Sequence, residues 1–370
     1  MRVTHKMLSS IFLYDLDRNR VDLSGLQTRI ATAKRINRPS DDPAGVERVL
    51  RLRSSVKRLE GYKENVDEAK DWMESTELAL RDTWQVFSEA KMVLLRAMDG
   101  STDAQARKAM ACGIDQLLEG LIRTANSRKE GRYIFGGTET LTAPYTASYK
   151  VDEKFRAAYD TPVPLGHARI EEGSVVVTDG TNIYTEGVDY TLDYERGTIT
   201  VLSSGDMSDG TEYYVSYRTR EVSSVSENPK GISGKMYRAV GEGLRVQVNM
   251  PGSEVFGGEP DAFRALIRVR DSLVRDDREG IKEALSDVDE ILDRLDARLA
   301  ELGTRMERVE ATGELLEREK VEVQGLLNMV ESTDIARAVM ELQLQEMVYL
   351  AALEVGSRVL QPSLVDFLGT

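Results

Sequence analysis

RINRPSDDPAG, residues 35–45, reads as a joint between two helices. Proline-free amphipathic sequence runs up to it and resumes after it. Pro43 suits the first position of a helix, where a missing N–H costs nothing. Asp42 just before it is placed to cap free backbone N–H groups. Asp41 adds negative charge at the positive end of the helix dipole. The stretch therefore predicts one helix ending and a second starting at a set angle.

Working outward, residues 1–34 carry Met7, Ile11, Tyr14, Val21, Leu23, Leu26 and Ile30 at helical spacing. From 46 to about 98 runs a heptad-like stripe that includes Val49, Leu52, Val66, Met73, Leu80, Trp84, Phe87, Leu94 and Met98. DGSTD at 99–103 turns the chain, and a shorter helix follows through Met110, Ile114, Leu117 and Leu121 to about 129. Ile281, Leu285, Val288, Leu292, Leu295 and onward to Val330 step by four and three, broken only by Gly313 and Lys320. Such a repeat favours a left-handed supercoil. At about 1.5 Å per residue that helix would be roughly 75 Å long and need partners along its length. The 46–98 and 103–129 helices are the expected partners.

Between the helical halves the pattern changes. Residues 165–220 alternate β-branched and tyrosyl residues with polar ones, cut by DG, EG and RG. Four to six antiparallel strands in a small sandwich or barrel are expected, with TPVPLG (161–166) and SSVSENPKG (223–231) as linkers. GRYIFGGTETLTAPY and GEGLRVQVNMPGSEVFGG should form hairpins capping the bundle. After STD at 332–334 come two apolar stripes, one through Ile335, Val339, Leu342, Tyr349, Leu353, Leu360 and Leu364, the other through Met340, Leu344, Met347, Ala351 and Val355. A helix apolar on more than one side wants to be surrounded. The expected fold is mainly α: a long antiparallel bundle or coiled coil formed by both chain ends, with an inserted all-β outer domain. Residues 1–36 with 334–370 are the terminal coiled-coil segments, 37–160 with 226–333 the helical body, and 161–225 the β insert.

The totals narrow the function. A net charge of −14 over 370 residues, with no basic patch, argues against nucleic acid. No stretch is long and apolar enough for a membrane span, and the N-terminus lacks a cleavage site, so neither membrane insertion nor a cleaved signal is expected. Only 6% of residues are aromatic, thin for a large enzyme and ordinary for helical bundles. The lone Cys112 cannot form an internal disulfide. His5 and His167 make no metal spacing, and FGGTET lacks the ending of a phosphate loop. No catalytic residue, metal site or cofactor is expected. The tyrosines 184, 190, 194, 213, 214 and 217 could line a glycan site, but at strand spacing they read as core and cross-strand pairs.

SGLQTRIATAKRINRPSDDPAG resembles the N-terminal motif of the flagellin superfamily, with Ala33 at the usual glycine. RLAELGTRMERVE and VESTDIARAVMELQLQEMVYLAAL resemble its C-terminal segments. RYIFGGTETLTAPY and the ending PSLVDFLGT resemble the members that join hook to filament. The resemblance implies a structural axial protein of the bacterial flagellum, an adapter ring with no enzymatic activity, exported unfolded by flagellar type III export to the extracellular hook–filament junction. It implies a hinge at Arg35, Ile36, Asn37, Asp41, Asp42, Pro43, Ala44 and Gly45. It also implies assembly and chaperone contacts through Met7, Ile11, Leu26, Ile30, Ile335, Val339, Leu342, Leu353, Leu360, Leu364 and Leu368. The implied partners are further copies in a helical ring, a neighbouring hook-associated protein and flagellin, and a cytoplasmic export chaperone on the C-terminal segment. A flagellin-like filament subunit and a cytoplasmic helical scaffold are the alternatives.

Overall fold

The computed structural model describes residues 5–360. Seven helices run in the order α1 (His5–Thr32), α2 (Pro43–Met98), α3 (Ala104–Ala125), α4 (Gly252–Val255), α5 (Ala262–Arg275), α6 (Arg278–Glu331) and α7 (Ile335–Leu360). All the strands lie between α3 and α4. Two compact units divide the chain: residues 1–63 with 314–370, and residues 64–313.

In the terminal unit α1 packs against α7. The half-buried stripe of α1 facing α7 is Phe12, Leu16, Asn19, Leu23, Leu26 and Ile30, in steps of four and three, and Thr28 and Arg29 are half-buried beside it. On α7 they are Ala338, Leu342, Gln345, Tyr349, Ala352 and Gly356, in the same steps. Gly356 lies against the Phe12 ring, and Gln345 Nε2 donates to Asn19 Oδ1 at 3.2 Å, so the helices are antiparallel. The polar pair inside an apolar seam selects this register over slipped ones. Met7, Ile11 and Tyr14, also at helical spacing, lie outside this seam and are exposed. They lie on a second stripe rotated away from α7.

In the central unit α2 and α6 run antiparallel, joined by Lys91–Asp289 at 2.7 Å and Lys70–Glu310 at 3.0 Å. Their α6 seam is the one in the sequence: Ile281, Val288, Leu292, Leu295, Leu302 and Val309 are buried. The α2 seam differs. It is Val66, Ala69, Met73, Thr76, Leu80, Thr83, Phe87, Ala90, Leu94 and Ala97, all buried. Trp84 and Met98 face solvent instead. Alanine and threonine fill every second place along this seam. Thr76 and Thr83 satisfy their hydroxyls on the carbonyls of Trp72 and Ala79, at 2.9 and 2.8 Å.

The strands form an antiparallel sandwich and three small pairs. One sheet orders β4 (Lys150–Arg156), β10 (Glu212–Arg218), β6 (Val176–Thr178) and β7 (Ile183–Tyr184). The other orders β5 (Pro162–Pro164), β9 (Thr198–Val201) and β8 (Tyr190–Asp193). They share one core of Phe155, Ile170, Val177, Tyr190, Ile199, Tyr213, Val215 and Tyr217, among others. The two stretches read as linkers are partly strand. Pro162 and Pro164 sit on the edge strand β5, where a missing donor is tolerated. Ser224–Glu227, β11, pairs with β3 (Tyr145–Ser148). The expected hairpins are present: β1 (Arg128–Lys129) with β2 (Arg132–Tyr133), and β12 (Tyr237–Gly241) with β13 (Leu244–Gln247).

Phe135, Tyr145, Phe256 and Phe263 stack in one cluster beneath the FGG stretch, with Phe135 and Phe256 edge to face at 5.0 Å. Gly137 makes this possible. Its φ is +61°, and a Cβ there would lie 2.0 Å from the Gly231 carbonyl oxygen. Gly137→Ala should destabilise the central unit by about 2 kcal/mol or more, because backbone must move. Denaturant titration followed by tryptophan fluorescence checks this; an unchanged midpoint would refute it.

Candidate functional site: the paired joints and the terminal helices

α1 ends at Thr32, and Ala33 turns the chain with φ +55°, the left-handed region. A glycine would sit there without cost, and alanine does not. Arg35 then runs alongside the C-terminal half of the chain. Its N–H donates to the Glu331 carbonyl at 2.8 Å, and Thr333 N–H donates to the Ala33 carbonyl at 3.0 Å. The break between α1 and α2 and the break between α6 and α7 are thus hydrogen-bonded to each other.

Asp41 Oδ2 accepts from the N–H groups of Arg38 and Asn37, at 2.8 and 2.9 Å, and closes the loop. Asp42 caps α2 as its position before Pro43 suggests: Oδ1 accepts from Gly45 N–H at 2.9 Å. Its other oxygen accepts from Arg35 Nη1 at 3.1 Å, and Arg35 Nη2 donates to the Val330 carbonyl. Gly45 is required, because a Cβ would meet Asp42 Oδ2 at 2.4 Å and the buried Ile36 Cδ1 at 2.6 Å. Asn37 anchors the turn through Nδ2 to the Lys34 carbonyl. Asp334 caps α7, with Arg337 N–H at 3.2 Å.

Glu331 is the residue that sequence reasoning missed. It is buried, and its Oε1 meets Lys34 Nζ at 2.6 Å and Arg53 at 2.5 Å. Burial alone would raise its pKa, but the hydrogen bonds from Lys34 and Arg53 prevail and hold it below 4.5. Backbone N–H groups of Arg38 and Asn37 lower Asp41 below 3.8, and Gly45 N–H and then Arg35 lower Asp42. No periodicity signals Glu331; the only hint was a carboxylate just before the Ser-Thr-Asp cap.

Of the assembly residues named from sequence, Leu26, Ile30 and Leu342 are half-buried in the α1–α7 seam. Met7, Ile11, Ile335, Val339 and Leu353 are exposed. Leu360 is the last residue of α7, and Leu364 and Leu368 lie outside the described residues. The exposed face of α7 also carries Met340, Leu344, Met347 and Leu350, each more than half exposed. No helix among the described residues is long and apolar enough to cross a membrane.

The central unit holds a buried ionic cluster. Arg270, fully buried, donates to Asp271 at 2.8 Å, to Asp115 at 3.3 Å and to the Val222 carbonyl at 2.7 Å. Arg169 bridges Asp115 and Glu221, and His167 Nδ1 meets Asp271 Oδ2 at 3.2 Å. Burial pushes Asp115 up to about 6 against the pull of Arg270. Its oxygens are both engaged by guanidinium groups, so the cluster ties the loops at 165–170 and 219–222 to α3 and α5. No group of three metal-ligating side chains occurs among the described residues. Tyr190, Tyr213 and Tyr217 are core, and Tyr214 lies under Lys154 at 4.9 Å.

Residues 3–140 match the family model of the bacterial flagellin N-terminal helical region. The chain is similar to flagellar hook-associated protein 3 of Salmonella typhimurium, 25% identical over 158 residues, 42% of this chain and 50% of that protein. It is also similar to the flagellar filament 30.7 kDa core protein of Treponema maltophilum, 22% identical over 148 residues, 40% of this chain and 50% of that one. The chain spans about half the length of the curated relatives it matches. A solved structure from Vibrio parahaemolyticus, assigned to the flagellar hook-associated proteins, shares the fold with a TM-score of 0.52 at 15% identity, over 79% of this chain and 99% of that one.

Ala33→Gly should stabilise the terminal unit by about 1 kcal/mol, read as a higher melting temperature; a loss would show that Ala33 is not strained. A carboxyl with a lowered pKa contributes its stability above the unfolded value and loses it as pH falls through the folded one. The paired joints should therefore hold at neutral pH and loosen below about pH 4.5. Glu331→Gln should cost about 1–2 kcal/mol at pH 7, since its cations are half-exposed and screened, and should flatten that acid loss. Melts of both chains from pH 7 to 3 compare them; parallel curves would exclude the role of Glu331.

Proposed function

We propose that the chain is a structural axial protein of the bacterial flagellum that joins hook to filament as an adapter ring. One observation carries this reading: after α1 and α7 have closed their seam, each keeps a second apolar stripe exposed, Met7, Ile11 and Tyr14 on α1 and Met340, Leu344 and Met347 on α7. A lone chain gains nothing from such stripes. Copies in a tube would bury them, repaying the entropy lost on ordering, and a head-to-tail contact would repeat around the axis. The hinge at 35–45 would set how the terminal helix pair leaves the rest of the chain, and the β insert would face outward. Before assembly, an export chaperone would cover the exposed face of α7 in the cytoplasm, and the chain would leave unfolded by type III export. No enzymatic role is proposed.

A second reading has specific support, since the matched relatives include a filament core protein at similar identity. A filament subunit would polymerise alone into long filaments; a junction protein would not. Electron microscopy of the concentrated chain separates the two.

Met347→Asp together with Leu353→Asp should leave the folded monomer intact, with a melting temperature within about 2 °C, because both are exposed. The same pair should abolish chaperone capture and ring assembly. Leu342→Asp should also unfasten α1 from α7. Normal assembly of the Met347/Leu353 variant would defeat the proposal.

A further inference from the structure

The second half of α1 and the hinge loop enclose an open groove of about 760 Å³. Arg20, Arg29 and Arg38 line it, with Val21 and Gly25 between them. Arg20 reaches the exposed Asp17 at 3.2 Å. Neither Arg29 nor Arg38 makes a direct ion pair among the described residues, though both lie near enough to Asp41 to help lower its pKa. Of the two acids in the lining, Asp22 and Asp41, the second already accepts two backbone N–H groups. The lining thus sets three guanidinium groups against two carboxylates, in a chain of net charge −14.

Gly25 is a second, independent observation. It lies inside α1, and a Cβ there would meet nothing within 4 Å. Glycine in a helix interior costs about 0.5–1 kcal/mol relative to alanine, and no contact within the chain requires it. Close approach of another backbone would. Thr28 and Ser24 beside it are small, and Thr28 Oγ1 is turned back onto the Ser24 carbonyl at 2.8 Å. The groove floor is therefore low, with cations at its rim.

The same unit carries a matching ridge. On α6 Leu315, Glu319, Glu322, Leu326 and Met329 step by four and three, beside the packed stripe. Leu315 is 59% exposed and Met329 81%. Glu319 and Glu322 are exposed and make no ion pair among the described residues. The ridge is apolar at both ends and acidic in the middle.

We infer that the groove of one copy receives the 315–329 ridge of a second copy, with Glu319 and Glu322 against Arg29 and Arg38. The contact uses two different surfaces, so it is head-to-tail and repeats instead of closing as a symmetric pair. The opposed charges set partner orientation, and the apolar ends supply burial. This inference rests on the assembly reading above and names the neighbour's part of it.

The test mixes two full-length variants, one with Ser24→Cys and one with Arg318→Cys, both with Cys112→Ser, and joins them with a short bismaleimide. A third variant, Met347→Cys, reports contact between the outer stripes of α7. A Ser24–Arg318 cross-link between copies, mapped by mass spectrometry, is expected. Arg29→Glu with Arg38→Glu should lower its yield about tenfold, and Glu319→Arg with Glu322→Arg on the other copy should restore it. A Met347 link without a Ser24–Arg318 link would overturn this contact and leave assembly standing. Neither link would overturn both. A Ser24–Arg318 link indifferent to charge reversal would overturn the ion-pair assignment.

Discussion

A buried carboxylate, Glu331, holds together segments almost three hundred residues apart. Lys34 and Arg53 converge on its side chain while its carbonyl takes the Arg35 N–H. Removing a carboxylate from water is costly unless it is paired, and here two cations converge on Oε1. The two helix breaks must therefore occur at one level. Once they do, α1 and α7 start side by side, and the antiparallel seam from Ile30 and Ala338 to Phe12 and Gly356 has little freedom to slip. The Asn19–Gln345 bond midway confirms that register.

That seam uses only one face of each terminal helix. The faces left over are apolar at the same four-and-three spacing, so each helix is built to touch more than one neighbour. An isolated helix pair of this kind is marginal, since propensity alone seldom holds a helix and burial of a single stripe is modest. The polar hinge, with Asp41 and Asp42 bound almost wholly to backbone N–H groups, is by contrast locally complete.

The central unit solves a different problem. Large buried residues alternate with buried alanine and threonine along α2, facing a continuous buried stripe on α6. The β sandwich has its own core, and its loops are fastened to α3 and α5 through Arg169, Arg270, Asp115 and Asp271. Four charges share few water contacts there, and their geometry is directional where an apolar patch would not be.

Much of this was legible in the residue pattern. The α6 stripe, the cap at Asp42, the hairpins and the β insert follow from spacing and turn chemistry, which act over a few residues and need no partner. The α2 seam was half hidden because Ala69, Ala90 and Ala97 look unremarkable until a facing helix is present; large Trp84 and Met98 drew the eye to the wrong face. β5 and β11 were hidden because strand pairing joins residues far apart in sequence. Which of the two stripes on α1 would be covered was not encoded in either stripe, as both are amphipathic at the same period. The sequence by itself determined where helices begin, break and end, since caps, prolines and periodicity are local. Only the tertiary structure decided which apolar face was buried and which stayed open, because that choice depends on Glu331 meeting Lys34 and Arg53 across the whole length of the chain.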